Sequence, residues 1–298
     1  MGCDFEITVV AANQIEANSA FKLAENEIRR IETLISSWLE DSQTSMINRQ
    51  SGIKAVKVDE ELFQLIQRSL AISHLTDGAF DISYAAMDRI WQFSGNMKTL
   101  PSDELIATSV SKVGYENIEL NQDVKSVFLK KAGMRIGFGG IGKGYAADRA
   151  KELLIKKGFN SGIINASGDM SVWGLMPNGN PWKVAITNPM AKEKAFALLP
   201  LNNQAIVTSG DYEKYVEIEG ERFSHIIDPR TGWPTKGIIS VTVIAPQAEL
   251  ADALATSVFV MGSQTGLDRI NQIPQVECII VKANGSILQS NNIQLETQ

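Results

Sequence analysis

Cysteine and histidine are both scarce. The chain of 298 residues holds two cysteines, Cys3 and Cys278, and two histidines, His74 and His225. That excludes a disulfide framework and leaves little material for a zinc or histidine-based metal centre. Long hydrophobic runs are also missing. No stretch approaches the ~20 apolar residues of a membrane-spanning helix, and no basic segment followed by an apolar core opens the chain as a signal peptide would. Positive charge is not in excess: 28 Lys and Arg against 34 Asp and Glu give a net charge of −6. Aromatic residues are not interleaved with basic clusters, so no nucleic-acid partner is expected. Gly and Pro, at 23 and 9, are too few for a collagenous or disordered chain, and no short repeat or low-complexity tract is visible.

What is present is an ordinary globular composition, 44% hydrophobic and 21% charged. The length suits one large unit or two fused halves. Alternation at Phe5, Ile7 and Val9 predicts an opening strand. Ala20, Leu23, Ile28, Ile31 and Leu34 form a helical stripe across Glu16–Ile35, and a polar loop follows from Ser36 to Asn48. A second helix is predicted from Val58 to Leu75, with acids in its first turn and Thr76-Asp77-Gly78 ending it. Short strands are expected near Ile118, Val127 and Ile136, then a helix over Lys143–Lys157. The second half is strand-rich, at Ile163–Asn165, Trp182–Thr187, Ala205–Thr208, Tyr215–Ile218 and Ile238–Ile244. Helices over Glu249–Met261 and Thr265–Ile273 and a strand over Glu277–Val281 close the series. Hairpin-length gaps beside long helices predict an α+β fold and not a doubly wound parallel sheet.

The loudest local signal is Gly137-Phe-Gly-Gly-Ile-Gly-Lys-Gly144. It satisfies G-x-G-x-x-G weakly and G-x-x-x-x-G-K incompletely, because Gly144 stands where a P-loop needs Ser or Thr. The acid a dinucleotide fold would need is offered only by Asp169, about 30 residues on against the expected ~20. What remains is a glycine-freed backbone before a helix, either an anion cradle or a tight strand-to-helix turn. Phe223 to Pro234 crowds His225, Asp228, Arg230 and Thr231 around a proline-fixed turn, a set suited to phosphate charge, although a lone His is more often structural. Asp252 and Thr256 are four apart on an apolar helix and share a face. A buried acid there needs a partner, either a hard cation or the helix dipole. Thr208 to Tyr212, Thr76 to Asp81, Trp38 and Asn48 read singly as turns, loop polarity and a core anchor.

Together these blocks stand in the order of the ApbE family, the FAD:protein FMN transferases, which the sequence resembles over its whole length. His225-Ile-Ile-Asp-Pro-Arg-Thr-Gly232 followed by Ala251-Asp-Ala-Leu-Ala-Thr256 carries the resemblance most specifically. It implies an α+β fold of duplicated T-fold-like halves with FAD between them, in a single domain over residues 1–298. It implies an enzyme that moves FMN from FAD onto a Thr or Ser hydroxyl of an acceptor protein, releasing AMP with Mg2+. By motif position, Gly142, Asp252 and Thr256 look like magnesium ligands, and His225 falls beside the pyrophosphate as the catalytic group. Met1, Trp38, Asn48, Ala79, Phe80, Asp81, Asp148 and Ser209 resemble flavin and adenine walls, with Lys143 and Arg230 near the phosphates. The acceptor implied is a membrane-associated redox subunit. The setting implied is extracytoplasmic and lipid-anchored, with a cytoplasmic location open because no leader is in this chain. Cys3 departs from the usual Thr, Ser83-Tyr84-Ala85-Ala86 from a Thr-Val-Gly-Pro-like run, and Ser167 from the first of two glycines. Two other readings use the same residues: an FAD pyrophosphatase with water as nucleophile, and a non-catalytic FAD binder that has no need of Asp252 and Thr256 on one helical face.

Overall fold

The computed structural model describes residues 2–93, 97–188, 191–211 and 215–293. In chain order the elements are β1 (Phe5–Val9), α1 (Gln14–Ile35), α2 (Gln43–Arg49), β2 (Val56–Lys57), α3 (Glu60–Leu75) and α4 (Asp103–Val110). They continue as β3 (Ile118–Asn121), β4 (Ser126–Leu129), α5 (Gly142–Lys156), β5 (Gly162–Ala166), β6 (Asp169–Trp173), β7 (Trp182–Asn188) and β8 (Ala191–Leu201). The last are β9 (Ala205–Gly210), β10 (Tyr215–Ile218), β11 (Glu221–Ser224), β12 (Ile238–Ala245), α6 (Ala248–Met261), α7 (Ser263–Ile270), β13 (Glu277–Lys282) and β14 (Ile287–Gln289). No helix among the described residues is long and apolar enough to cross a membrane.

The centre is an antiparallel sheet of seven strands in the order β1-β5-β6-β9-β12-β13-β14. Its two blocks, β1-β5-β6 and β9-β12-β13-β14, join where Met170 pairs with Ile206 and Ser171 with Ala205. Alternation along the strands sorts their side chains to two faces. On one face Val207, Val241, Val243, Cys278 and Ile280 pack with Leu254, Val258 and Phe259 of α6. On the other, Val172, Ile206, Ile244 and Ile279 meet Val184, Ile186, Leu199 and Leu201 of the β7–β8 hairpin. Helices thus cover one side and a β-ribbon the other, so both faces of the central strands are dry.

The helices form where periodicity and caps agree. In α1 the Asn13 side chain accepts the N–H of Glu16, and Ala20, Ala24, Ile28, Ile31 and Leu34 turn one stripe inward. The Ser36–Asn48 loop is only partly a loop. Ser42 accepts the N–H of Ser45 and starts α2 within it. The strand expected near Ile136 is also absent among the ladders. Its backbone is held by a side chain: Asn48 Nδ2 donates to Ile136 O at 3.0 Å, and Ile136 N donates to Asn48 Oδ1 at 2.8 Å. The β5–β6 hairpin turns through Ser167 and Gly168, both in the left-handed region with φ of 52° and 101°. Ser167 occupies that position with help from its hydroxyl, which accepts from Asp4 N and donates to Asp4 O.

Candidate active site

A cavity of about 410 Å³ lies where the glycine loop before α5, the start of α6, the end of β9 and the loops after α1, α3 and β11 converge. That volume is in the range of small-molecule sites, ~300–1,000 Å³. Trp38, Ala79, Phe80, Asp81, Lys143, Ser209, His225, Asp252 and Thr256 all line it. Residues scattered over more than two hundred positions of sequence therefore share one chamber.

Its floor is charged. Asp252 is 3% exposed and Asp169 1%. Lys143 Nζ stands 2.8 Å from Asp169 Oδ2, and the N–H of Gly144 donates to Asp252 Oδ2 at 3.2 Å. Burial and then the neighbouring Asp169 charge push the Asp252 carboxyl far above the usual carboxylate range, to about 8, against the opposing pull of Lys143 and the Gly144 N–H. A cation bound beside these two buried carboxyls would favour the ionised form of Asp252. Gly140 also belongs here. A β-carbon built on it would lie 3.4 Å from Thr256 Oγ1 and 3.6 Å from the Phe80 ring.

The walls are mixed. Asp81 is buried and accepts from Ser83 N at 2.7 Å and Tyr115 N at 2.8 Å, which pins the turn that presents Ala79 and Phe80. Burial raises the Asp81 carboxyl, with those N–H donors opposing the shift. At the mouth Trp38 is 73% exposed, and the Arg89 guanidinium lies over its ring, 4.7 Å from the centroid. Tyr84 and Ala85, from the segment that departs from the family's usual run, line the same cavity. His225 faces it with its ring edge-on to Phe93 at 6.4 Å.

A protein-family model described as the ApbE family matches residues 1–280. The chain belongs to the ApbE family. It is 32% identical over 259 residues to the FAD:protein FMN transferase of Escherichia coli K12, covering 85% of this chain and 74% of that protein. A Klebsiella pneumoniae protein of the same name is 30% identical, covering 98% of this chain and 90% of the relative. The crystal structure of the ApbE protein from Thermotoga maritima superposes with a TM-score of 0.88 at 34% identity, covering 97% of this chain and 94% of that one. The flavin transferase ApbE of Vibrio cholerae shares the fold, with a TM-score of 0.85 at 23% identity.

Within this ApbE chain, several residues expected at the site stand elsewhere. Gly142 is the first residue of α5 and does not line the cavity. Its N–H donates to Phe138 O, and helical geometry aims its carbonyl along the helix toward the fourth residue on. Gly140, two residues earlier, is the backbone position that sits against Thr256. Asp148 points away from the cavity, into the packing of α5 against β6 and α6. Asn48 is engaged with the Ile136 backbone and borders a neighbouring groove that shares Ser37 and Trp38 with the main cavity. Arg230 lies behind the His225 loop, forked on Asp228 at 2.9 and 2.8 Å and reaching Asp77 O at 3.5 Å. Met1 lies outside the described residues. Sequence reasoning took Gly140 only as part of the glycine run and Tyr84 only as part of a departure from the family's usual segment, and it passed over Arg89. It considered Asp169 only as a ribose-binding acid, whereas its carboxylate pairs with Lys143 beside Asp252.

Proposed function

We propose that this chain transfers FMN from FAD to a Thr or Ser hydroxyl of an acceptor flavoprotein, forming a phosphoester and releasing AMP, with Mg2+ as the required ion. The observation that carries the reading is the convergence of His225, Lys143, Asp252 and Thr256 on one cavity of small-molecule size, with Asp169 paired to Lys143. Relatives at about 30% identity over most of the chain bear the name FAD:protein FMN transferase. An acceptor in a membrane-associated redox complex, met outside the cytoplasm, is part of the same proposal and rests on the family resemblance.

The donors fit magnesium. Asp252, Thr256 and the Gly140 backbone meet at one cavity and would offer the oxygen donors that a hard cation takes. When bound, magnesium supplies charge neutralisation for the pyrophosphate and the departing phosphate. Lys143 adds positive charge on the same floor, and the glycine run lets backbone come close to phosphate oxygens without a side chain in the way. Phe80, Ala79 and Trp38 offer the apolar and aromatic surface a flavin or adenine ring needs. His225, which lines the same cavity, accepts the proton of the acceptor hydroxyl at a ring nitrogen in this reading. The acceptor oxygen then bonds to the FMN phosphorus while the bond from that phosphorus to the bridging oxygen breaks, and AMP leaves with the electron pair.

The test is chromatographic. With FAD, Mg2+ and a candidate acceptor domain, AMP should form only when all three are present. AMP and free FMN forming at the same rate without acceptor would make the protein a pyrophosphatase.

A further inference from the structure

Three charged groups of the floor sit on three different elements: Lys143 on α5, Asp169 on β6 and Asp252 on α6. Their mutual placement is tied through one buried side chain. Asp148, 7% exposed, accepts from Ser171 Oγ at 2.7 Å with one oxygen and from the N–H of Glu249 at 2.9 Å with the other.

The three groups of the link lie on the same three elements as the site residues. Asp148 is five residues beyond Lys143 on α5. Ser171 is two beyond Asp169, on the same face of β6. Glu249 is three before Asp252, on the adjacent turn of α6. The cap of α6 makes the link specific, since Gln247 at its N-cap gives no side-chain hydrogen bond and Asp148 reaches across from α5 to serve a first-turn N–H. Arg68 of α3 grips the Glu249 side chain at 2.6 and 3.0 Å, holding the same turn from outside. The two helices also meet closely, because a β-carbon on Gly144 would fall 2.1 Å from Ala248 O. In such tight packing a lost tether shifts the helix and does not merely loosen a side chain.

We infer that Asp148 is a positioning residue that sets the spacing of Lys143, Asp169 and Asp252, and hence the affinity of the site for its divalent cation. The inference rests on the magnesium reading above. Asp148 touches neither cofactor nor reacting atoms. It acts through Ser171 and Glu249 on the carboxylates that do.

The experiment compares Asp148→Ala, Asp148→Asn and Ser171→Ala in the full chain. It reads the Mg2+ concentration for half-maximal transfer at saturating FAD, and the rise in Tm that Mg2+ alone produces. Removing a group that orients metal ligands costs ~10–100-fold in metal affinity. Asp148→Ala should raise the half-maximal Mg2+ concentration by at least ~10-fold and suppress the Mg2+-dependent Tm rise. Asp148→Asn keeps an acceptor for Glu249 N–H, and Ser171 can reverse its hydroxyl, so this variant should recover most of the loss. A lower Tm in Asp148→Ala with both magnesium readouts unchanged would overturn the inference, as would Asp148→Asn being as defective as Asp148→Ala. If Asp148→Ala does not fold, Ser171→Ala decides, because it removes only the β6 arm and should shift both readouts in the same direction; unchanged readouts overturn the inference. A wild type that gains Tm with Mg2+ yet transfers nothing would refute the transferase reading and leave the positioning role to the Tm readout. A wild type indifferent to Mg2+ in both readouts overturns the positioning role.

Discussion

The N–H of Gly144 donates to the Asp252 carboxyl at 3.2 Å, joining the first turn of α5 to the second turn of α6 where the helices approach across a residue with no side chain. This contact puts Asp252 at the cavity floor beside Asp169, and from it follow the stability and metal behaviour expected of the protein.

Gly144→Ala should be severe. Its new β-carbon would meet Ala248 backbone at 2.1 to 2.5 Å, so the helices must separate. Overpacking of this kind costs ~1–3 kcal/mol or more. Chemical denaturation should show that loss, and a variant within ~0.5 kcal/mol of wild type would mean the helix pair is free to adjust.

Asp252→Asn should separate stability from function. It removes a buried carboxyl that costs stability as it ionises around pH 8, so the metal-free protein should be no less stable at that pH. Magnesium-dependent transfer should nevertheless be abolished, because Thr256 and a backbone carbonyl are neutral ligands. Asp252 serving only the helix dipole would instead cost ~0.3–1 kcal/mol and leave the magnesium requirement unchanged.

The pH dependence has a defined sign. Asp252 is raised from 3.8 to about 8 in the folded chain. The native state therefore holds its proton more tightly than the unfolded chain, and the resulting relative stabilisation fades as pH climbs across that window. A cation bound to the carboxylate favours the ionised form, so the Mg2+-induced rise in Tm should be larger at about pH 8 than at about pH 6. Thermal melts at the two pH values check this. An equal rise at both would place the cation away from Asp252.

Trp38 is mostly exposed, so Trp38→Ala should change stability by less than ~0.5 kcal/mol. If an FAD ring stacks on it, affinity should fall by ~1–3 kcal/mol. Flavin fluorescence titration reads the difference, and unchanged affinity would leave Trp38 to its Arg89 contact alone.

His225→Ala should bind FAD nearly as wild type while its transfer rate falls ~10²–10⁴-fold, the range for a positioned acid–base group. Single-turnover rates beside binding isotherms check it, and a wild-type rate would return His225 to a structural role.

Much of this was legible in the chain itself. The periodic stripe of α1, the terminal signals of α3 and the shared face of Asp252 and Thr256 are legible because helical geometry is local. Other features depend on contacts distant in sequence. The strand before the glycine run is replaced by an Asn48 side chain from 88 residues away. Gly142, expected as a backbone ligand, opens α5 one residue before the predicted start, and Gly140 is the backbone position set against Thr256. The resemblance puts Asp148 in the cofactor wall, and only its β6 and α6 partners show that it serves the packing between elements. Asp169 failed a dinucleotide spacing rule and was set aside, although the hairpin turn at Ser167-Gly168 delivers it to Lys143.

The most direct measurement is the intact mass of an acceptor domain after incubation with this protein, FAD and Mg2+. The acceptor should gain the mass of one FMN esterified through its phosphate, localised by fragmentation to a single Thr or Ser, and should gain nothing when that residue is replaced by Ala or when the enzyme carries Asp252→Asn. An unmodified acceptor alongside complete conversion of FAD to free FMN and AMP would contradict it.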